Sequence, residues 1–93
     1  MKIFQSRSFE QKVKKISKHE KKVLDEEIRT IVSNPAIGDE KKGDLKGIFV
    51  NKFKIKTAQF LLAYRNTGEA IELIMFGAHE NYYRDLKNYL KNR

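Results

Sequence analysis

The first half of the chain carries apolar residues at helical spacing, in two separate stripes. The first stripe is Phe9, Val13 and Ile16, and the second is Leu24, Ile28, Ile31 and Val32. Intervals of three and four place each set on one face of a helix. Ser8 is the expected N-cap of the first helix. Asn34-Pro35 ends the second, predicted over about 20–33, because a residue before proline disfavours the α conformation.

Beyond a polar loop at 36–43, the pattern changes from helical spacing to that of strands. Apolar residues and lysines alternate through 48–56, which predicts a strand with one lysine-bearing face. The continuous apolar run at 60–64 is typical of a central strand that is covered on both sides. The remaining segments are a turn at 66–69, a strand at 71–76 and a final helix at 80–91.

These elements predict a small α+β fold in which residues 1–93 form a single domain. A helical hairpin packs on one face of a curved antiparallel meander, and a short helix closes the chain. Residues 2–5 form a short opening segment that is a candidate strand. The opposite sheet face is expected to be partly bare, with Lys52, Lys54 and Lys56 on it. Lysines two residues apart on a strand point the same way, about 7 Å apart.

Composition adds a strong positive charge to this picture. The 93 residues include 20 Lys and Arg against 12 Asp and Glu, a formal net charge of +8. Such a surface attracts polyanions, namely nucleic acid, anionic lipid or an acidic protein, although solvating lysines are the simpler explanation. No apolar run is long enough to span a membrane and no signal peptide is recognisable, so we expect a cytoplasmic protein without membrane contact. With no cysteine and two separated histidines, neither a metal site nor a cofactor site is expected.

Six short segments then resemble, in order, the RelE/ParE superfamily of bacterial type II toxins. They are residues 9–15 in the first helix, Asn34-Pro35, Leu45-Lys46-Gly47, the alternating 53–56, the strand 61–65, and 77–86 with its G-x-H start. Each motif is weak alone, but their order covers nearly the whole chain. The resemblance implies a toxin held inactive by a cognate antitoxin protein. One branch of the superfamily cleaves mRNA on the ribosome, and another inhibits DNA gyrase.

Candidate site residues follow from cleavage chemistry, which needs a base for the 2′-OH, cations around the phosphate and an acid for the leaving oxygen. Histidine is the side chain that ordinarily titrates near neutral pH. The resemblance places the nuclease lysine pair at Lys54 and Lys56. The catalytic candidates are Lys54, Lys56, His79, Tyr82 and Arg84, and the RNA-binding candidates are Lys46, Lys52, Arg65, Tyr83 and Lys87. The helical stripe favours Tyr83 for the core and Tyr82 for stacking on a base.

Three functions remain open at this point. The favoured one is a metal-independent, ribosome-dependent mRNA endoribonuclease. The second is a gyrase inhibitor without nuclease activity, which the absence of a basic residue in 60–64 leaves open. The third is a nucleic-acid-binding module that has lost toxicity. Lys54 and Lys56 are then solvated edge lysines, and His79 is a helix-entry residue without chemistry.

Overall fold

Five strands in one sheet and three α-helices make up residues 2–92, which are the residues that the computed structural model describes. The strands are β1 (Lys2–Gln5), β2 (Asp39–Glu40), β3 (Phe49–Ile55), β4 (Ala58–Asn66) and β5 (Ala70–Ala78). The helices are α1 (Arg7–Val13), α2 (Lys18–Ser33) and α3 (Tyr82–Lys91), with a 3₁₀ turn at Gly43–Leu45. Within 2–92 no helix has the length and apolar character needed to cross a membrane.

The sheet has the strand order β1-β5-β4-β3-β2. The predicted antiparallel meander is confirmed for β3, β4 and β5. The candidate opening strand is also confirmed, but β1 pairs in parallel with β5, which the antiparallel prediction did not include. The segment predicted as a polar loop contains β2, a two-residue edge strand that pairs with β3.

Both faces of the sheet carry a hydrophobic core. The face under α1 and α2, called here the α1–α2 face, buries Phe9, Leu24, Ile31, Ile55, Leu62, Tyr64, Ile71, Leu73 and Phe76. The opposite α3 face buries Leu45, Ile48, Val50, Leu61, Ala63, Ile74, Tyr82 and Leu86. The helices therefore cover the α1–α2 face as predicted, whereas α3 and the segment before β3 cover more of the other face than expected.

A bulge in β5 sets which side chains reach each core. Ala63 is opposite Met75 and Tyr64 is opposite Leu73, so Ile74 has no residue across from it on β4. The extra residue shifts the alternation of β5 by one position. Leu73 and Phe76, three residues apart, consequently lie in the same core, while Ile74 lies in the other.

Ser6 joins β1, α1 and β5 at this bulge. Its backbone N–H donates to the Leu73 carbonyl at 2.9 Å, and its hydroxyl donates to the Ile74 carbonyl. The same hydroxyl accepts the Phe9 N–H at 3.0 Å, so Ser6 is the N-cap of α1. The prediction of Ser8 as the cap is wrong, because the helix begins at Arg7 and Ser8 lies within its first turn.

Tyr64 fixes the loop that leads from α2 back to the sheet. Its hydroxyl donates to the Pro35 carbonyl at 2.7 Å and accepts the Gly38 N–H at 3.0 Å. Burial raises the pKa of the Tyr64 hydroxyl, although the Gly38 N–H opposes the shift. A Cβ added at Gly38 would stand 2.8 Å from that hydroxyl, so the close approach of this loop requires glycine.

Replacing Ser6 with alanine tests the importance of this cap. The Ser6→Ala variant leaves the Phe9 N–H and the Ile74 carbonyl without the hydroxyl that joins them. We expect the free energy of unfolding to fall by about 1–3 kcal/mol, measured by urea denaturation. Ser8→Ala is the matched control and is expected to change stability by less than about 0.5 kcal/mol.

Candidate functional site

The α3 face is uncovered at the end of the sheet where β3 finishes and β4 begins. Lys52 and Lys54 are both exposed there. In the β3–β4 register, Lys52 is opposite Leu61 and Lys54 is opposite Gln59. Because directly opposed residues share a face, both lysines belong to the same face as the buried Leu61. The prediction that Lys52 and Lys54 share the face opposite α1 and α2 is confirmed.

His79 reaches the same end of the sheet from β5. It follows Ala78, the last residue of that strand, and its backbone N–H donates to the Gln59 carbonyl at 3.2 Å. Lys54, Gln59 and His79 therefore form one row across three adjacent chain segments. With a spacing of about 5 Å per strand, the backbones of Lys54 and His79 lie about 10 Å apart. Lys52, Lys54, Gln59 and His79 are called here the open end.

Lys56 does not form the same-face pair with Lys54 that was predicted. β3 ends at Ile55, which pairs with Ala58, so Lys56 and Thr57 form the two-residue hairpin turn. Lys56 has a φ of 57°, in the left-handed region that side chains rarely adopt. Because the backbone reverses at this residue, strand alternation no longer determines the direction of the Lys56 side chain.

Tyr82 and Tyr83 have the reverse of the predicted roles. Tyr82 is only 3% exposed, and its hydroxyl donates to the Met75 carbonyl at 2.6 Å. Burial raises the pKa of the Tyr82 hydroxyl, so this phenol stays protonated and bound to backbone. The prediction that Tyr82 stacks on a base is wrong, because the stripe of α3 turns Tyr82 and Leu86 inward.

Tyr83 is half-buried and packs edge-on against Tyr82, with ring centroids 5.7 Å apart. The Lys41 ammonium lies over the Tyr83 ring, 5.3 Å from its centroid, which is a cation–π arrangement. Tyr83 therefore offers an aromatic surface at the rim of the α3 face, and one cation lies against it.

Arg65 lies far from the open end. It is six residues beyond Gln59 on β4, which is about 20 Å along the strand. Its guanidinium is 3.5 Å from the Glu72 carboxylate, which is on the adjacent strand. Arg65 and the open end therefore cannot contact the same phosphate.

The other predicted cations are distributed around α3. Arg84 is exposed and lies 3.6 Å from the neighbouring Asp85 carboxylate. Lys87 lines a surface groove with Asp44, and Lys46 follows the 3₁₀ turn that contains Asp44. Arg84, Lys87 and Lys46 form a group of basic side chains beside α3, called here the basic border. It is separate from the row formed by Lys54, Gln59 and His79.

Sequence reasoning missed two residues of this region, Gln59 and Lys41. Gln59 was missed because Lys56 was included in the predicted strand 48–56 and residues 57–59 were assigned to no element, whereas a turn at Lys56-Thr57 places Gln59 opposite Lys54. Lys41 reaches Tyr83 through tertiary packing that has no local signal. Among residues 2–92, no group of three or more His, Cys, Asp or Glu side chains is placed to hold a metal ion.

Comparison with known families identifies the chain. Residues 3–87 match the model of the ParE-like toxin of type II bacterial toxin-antitoxin systems. The chain belongs to the ParE-like toxin family. All ten candidate residues lie within the matched segment, as do Gln59 and Lys41. No curated protein matches the sequence.

Solved structures of related toxins share the fold of this ParE-like family member. A mutant of Escherichia coli RelE in the free state superposes with a TM-score of 0.73 at 13% identity, covering 98% of this chain and 95% of RelE. RelE from the intact E. coli RelBE toxin-antitoxin complex gives 0.68 at 16% identity, covering 85% and 96%. The YoeB/ParE toxin from Agrobacterium tumefaciens gives 0.64 at 20% identity, covering 85% and 99%. The fold of these structures confirms the predicted fold, and the family match confirms the predicted superfamily: the chain is a ParE-like toxin of a type II toxin-antitoxin system.

Removing the Tyr82 hydroxyl separates a structural role from a chemical one. Tyr82→Phe loses the hydrogen bond to the Met75 carbonyl, so we expect the free energy of unfolding to fall by about 1 kcal/mol. We expect toxicity on expression to be retained, because the hydroxyl is bound to backbone within the core. Full loss of toxicity in a folded Tyr82→Phe protein would contradict this assignment.

Replacing Lys56 tests the cost of its backbone conformation. Glycine adopts positive φ without a steric penalty, so Lys56→Gly is expected to raise the free energy of unfolding by about 1 kcal/mol. Lys52→Gly is the contrasting control, since a glycine within β3 is expected to destabilise the strand. Thermal denaturation of the two variants gives midpoint shifts of opposite sign, and destabilisation by Lys56→Gly would contradict the analysis of the turn.

Proposed function

We propose that this toxin is a metal-independent endoribonuclease that cleaves mRNA on the ribosome and so arrests translation. The observation that carries the proposal is the row formed by Lys54, Gln59 and His79 at the open end. A lysine and a histidine there flank a gap of about 10 Å, which their side chains can close around one phosphate. No covered cavity is needed, because a single RNA strand can lie across an exposed sheet.

Cleavage by this row uses the ribose as the nucleophile. The 2′-OH loses its proton to a base, and its oxygen attacks the adjacent phosphorus. The bond from phosphorus to the 5′-oxygen then breaks, and an acid protonates that leaving oxygen. We assign the acid and base roles jointly to Lys54 and His79, because they reach the phosphate from opposite sides of Gln59. Lys52 supplies further positive charge to the phosphate as it becomes dianionic.

The RNA on either side of the cut is proposed to follow the basic border beside α3. Tyr83 provides a ring on which a base can stack, and Lys41 and Lys87 can contact phosphates. Lys46 and Arg84 extend the same surface. The formal charge of +8 supports attraction to the ribosome, whose RNA is a dense polyanion.

A cognate antitoxin is the proposed protein partner. The related E. coli RelE occurs in a complex with RelB, an antitoxin. A binding protein with acidic segments would neutralise the lysines of this toxin and cover the open end.

A second candidate function is inhibition of DNA gyrase without nuclease activity. The favouring observation is the middle of the α3 face, where Leu61 and Ala63 are buried and neither they nor the intervening Leu62 is basic. The middle of β4 therefore supplies no cation to a nuclease site on this face. Gyrase inhibition requires no chemistry from His79.

Expression of the toxin in a bacterium, with primer extension on a reporter mRNA, tests the proposal. The reporter is compared with and without its start codon, since cleavage on the ribosome requires translation. His79→Ala and Lys54→Ala are each expected to lower cleavage at least about 100-fold, the scale of general acid–base catalysis. His19→Ala and Lys22→Ala, exposed on α2, are the matched controls and are expected to cleave normally.

Growth arrest with intact mRNA and induction of the DNA-damage response would overturn the nuclease and favour gyrase inhibition. Absence of growth arrest from the soluble, folded protein would contradict both toxin functions.

A further inference from the structure

Among residues 2–92, no strand pairs with the outer edge of β5 beyond Leu73. β1 pairs only with residues 70–73, because Ser6 then turns the chain into α1. The remaining part of β5 borders a cleft of about 450 Å³ that opens between α1 and the start of α3. This feature, lined by Phe76, Gly77 and Ala78 along its base, is called here the edge cleft.

The backbone of the edge cleft carries hydrogen-bonding groups that point outward. The His79 N–H donates to the Gln59 carbonyl on β4, at 3.2 Å. In an antiparallel pair, alternate residues turn their N–H and C=O groups toward the partner strand. Gly77 therefore faces β4, and the N–H and C=O groups of Phe76 and Ala78 face the cleft. An edge of this kind is a template for an added strand.

The two walls of the edge cleft have opposite charges. Lys12 and Lys15 line the wall formed by α1 and the turn that follows it, on the side of the α1–α2 face. Glu80 and Asp85 line the other wall, where α3 begins over the α3 face. Successive side chains of a strand point to opposite faces of the sheet, so a strand in this cleft would alternate between the two walls.

We propose that the edge cleft binds an extended peptide segment of a partner protein, which joins the sheet as a sixth strand beside Phe76 and Ala78. The segment has alternating charge, with acidic side chains toward Lys12 and Lys15 and basic side chains toward Glu80 and Asp85. Strand addition of this kind takes affinity from backbone hydrogen bonds and specificity from alternate side chains. The partner's identity as the antitoxin rests on the proposed function, whereas the binding chemistry does not.

A second copy of this chain is a poorer occupant of the cleft. At the opposite edge of the sheet, β2 has two residues, both acidic, and covers only Phe49 and Val50 of β3. The rest of β3, residues 51–55, has two lysines and no acidic side chain, so neither part of this edge offers alternation of sign. The exposed β1 strand is Lys-Ile-Phe-Gln and has no acidic side chain for the lysine wall. Neither edge matches the charges of both walls, so we assign the cleft to a different protein.

Three synthetic peptides test the proposal on the purified, isotope-labelled protein by NMR titration. The first alternates Glu and Lys over six residues between threonine ends. The second has the same composition in blocks, three Glu followed by three Lys. The third is the alternating sequence with an N-methyl group on every residue, which removes the donors of both edges of the peptide.

The alternating peptide is expected to shift the amide resonances of Phe76 and Ala78 most and to slow their hydrogen exchange. The block peptide is expected to bind about threefold to tenfold more weakly, because each wall then meets mixed charges. The N-methylated peptide is expected not to bind. Equal binding of all three peptides, no binding of any, or shifts centred on β1 or β2 would overturn the proposal.

A pair of proline variants tests the edge itself. Ala78→Pro removes an outward N–H at a position where an edge strand tolerates proline, and it is expected to abolish binding of the alternating peptide. Ile3→Pro is the matched control: the Lys2 and Ser6 N–H groups donate toward β5, so that of Ile3 points outward from β1. This variant is expected to bind normally. Normal binding by folded Ala78→Pro would overturn the proposal.

These titrations stay informative if a variant or the proposed function fails. Should Ala78→Pro not fold, judged by circular dichroism, the N-methylated peptide decides the question on the unaltered protein. The peptide measurements do not depend on mRNA cleavage, and the reporter assay does not depend on peptide binding. Failure of one hypothesis is therefore distinguishable from failure of the other.

Discussion

The arrangement of this toxin depends on the hydrogen bonds that Ser6 makes to β5 and to the start of α1. Two successive carbonyls of the β5 bulge accept from its N–H and hydroxyl, and the hydroxyl also accepts the Phe9 N–H. One residue thus ends β1, begins α1 and fixes both to β5. Because the hydroxyl forms hydrogen bonds with buried backbone groups of both α1 and β5, this helix cap also holds the two elements together. The position of Ser6 also determines how much of β5 has no neighbouring strand.

A short turn has a comparable effect on the candidate site. Two residues between β3 and β4 fix the register of the hairpin, and this register puts Lys54 opposite Gln59. A slip of one residue would transfer every side chain of β3 to the other face. The stacked rings of Phe53, Phe60 and Phe76, with centroids 5.3–6.2 Å apart, oppose such a slip from the α1–α2 face. Aromatic packing on one face therefore positions the lysines exposed on the other.

The elements that depend on local patterns could be predicted from the sequence. The predictions were wrong where tertiary packing or a reversal of the backbone determines where a side chain lies. The α2 stripe, the meander and the shared face of Lys52 and Lys54 all follow from periodicity. Periodicity could not predict which of Tyr82 and Tyr83 is buried. Adjacent residues lie about 100° apart around a helix axis, and the orientation in which α3 packs on the sheet determines which of the two faces the core. Lys56 is an unusual residue for a positive φ, so composition gave no turn signal there. The pairing of β1 with β5 joins residues nearly 70 positions apart and has no local signature.

The open end and the edge cleft meet at the C-terminal end of β5, and this connects the two proposals. Ala78 turns its backbone toward the cleft, while the next residue, His79, donates its N–H to Gln59 on β4. A strand added beside Ala78 would restrain the short exposed segment that holds His79 and Glu80 between β5 and α3. A partner bound there would act on His79 through backbone rigidity and need not cover the open end. Inhibition of this kind would limit the adjustment of His79 around a phosphate, in addition to the charge neutralisation proposed for acidic segments over the open end.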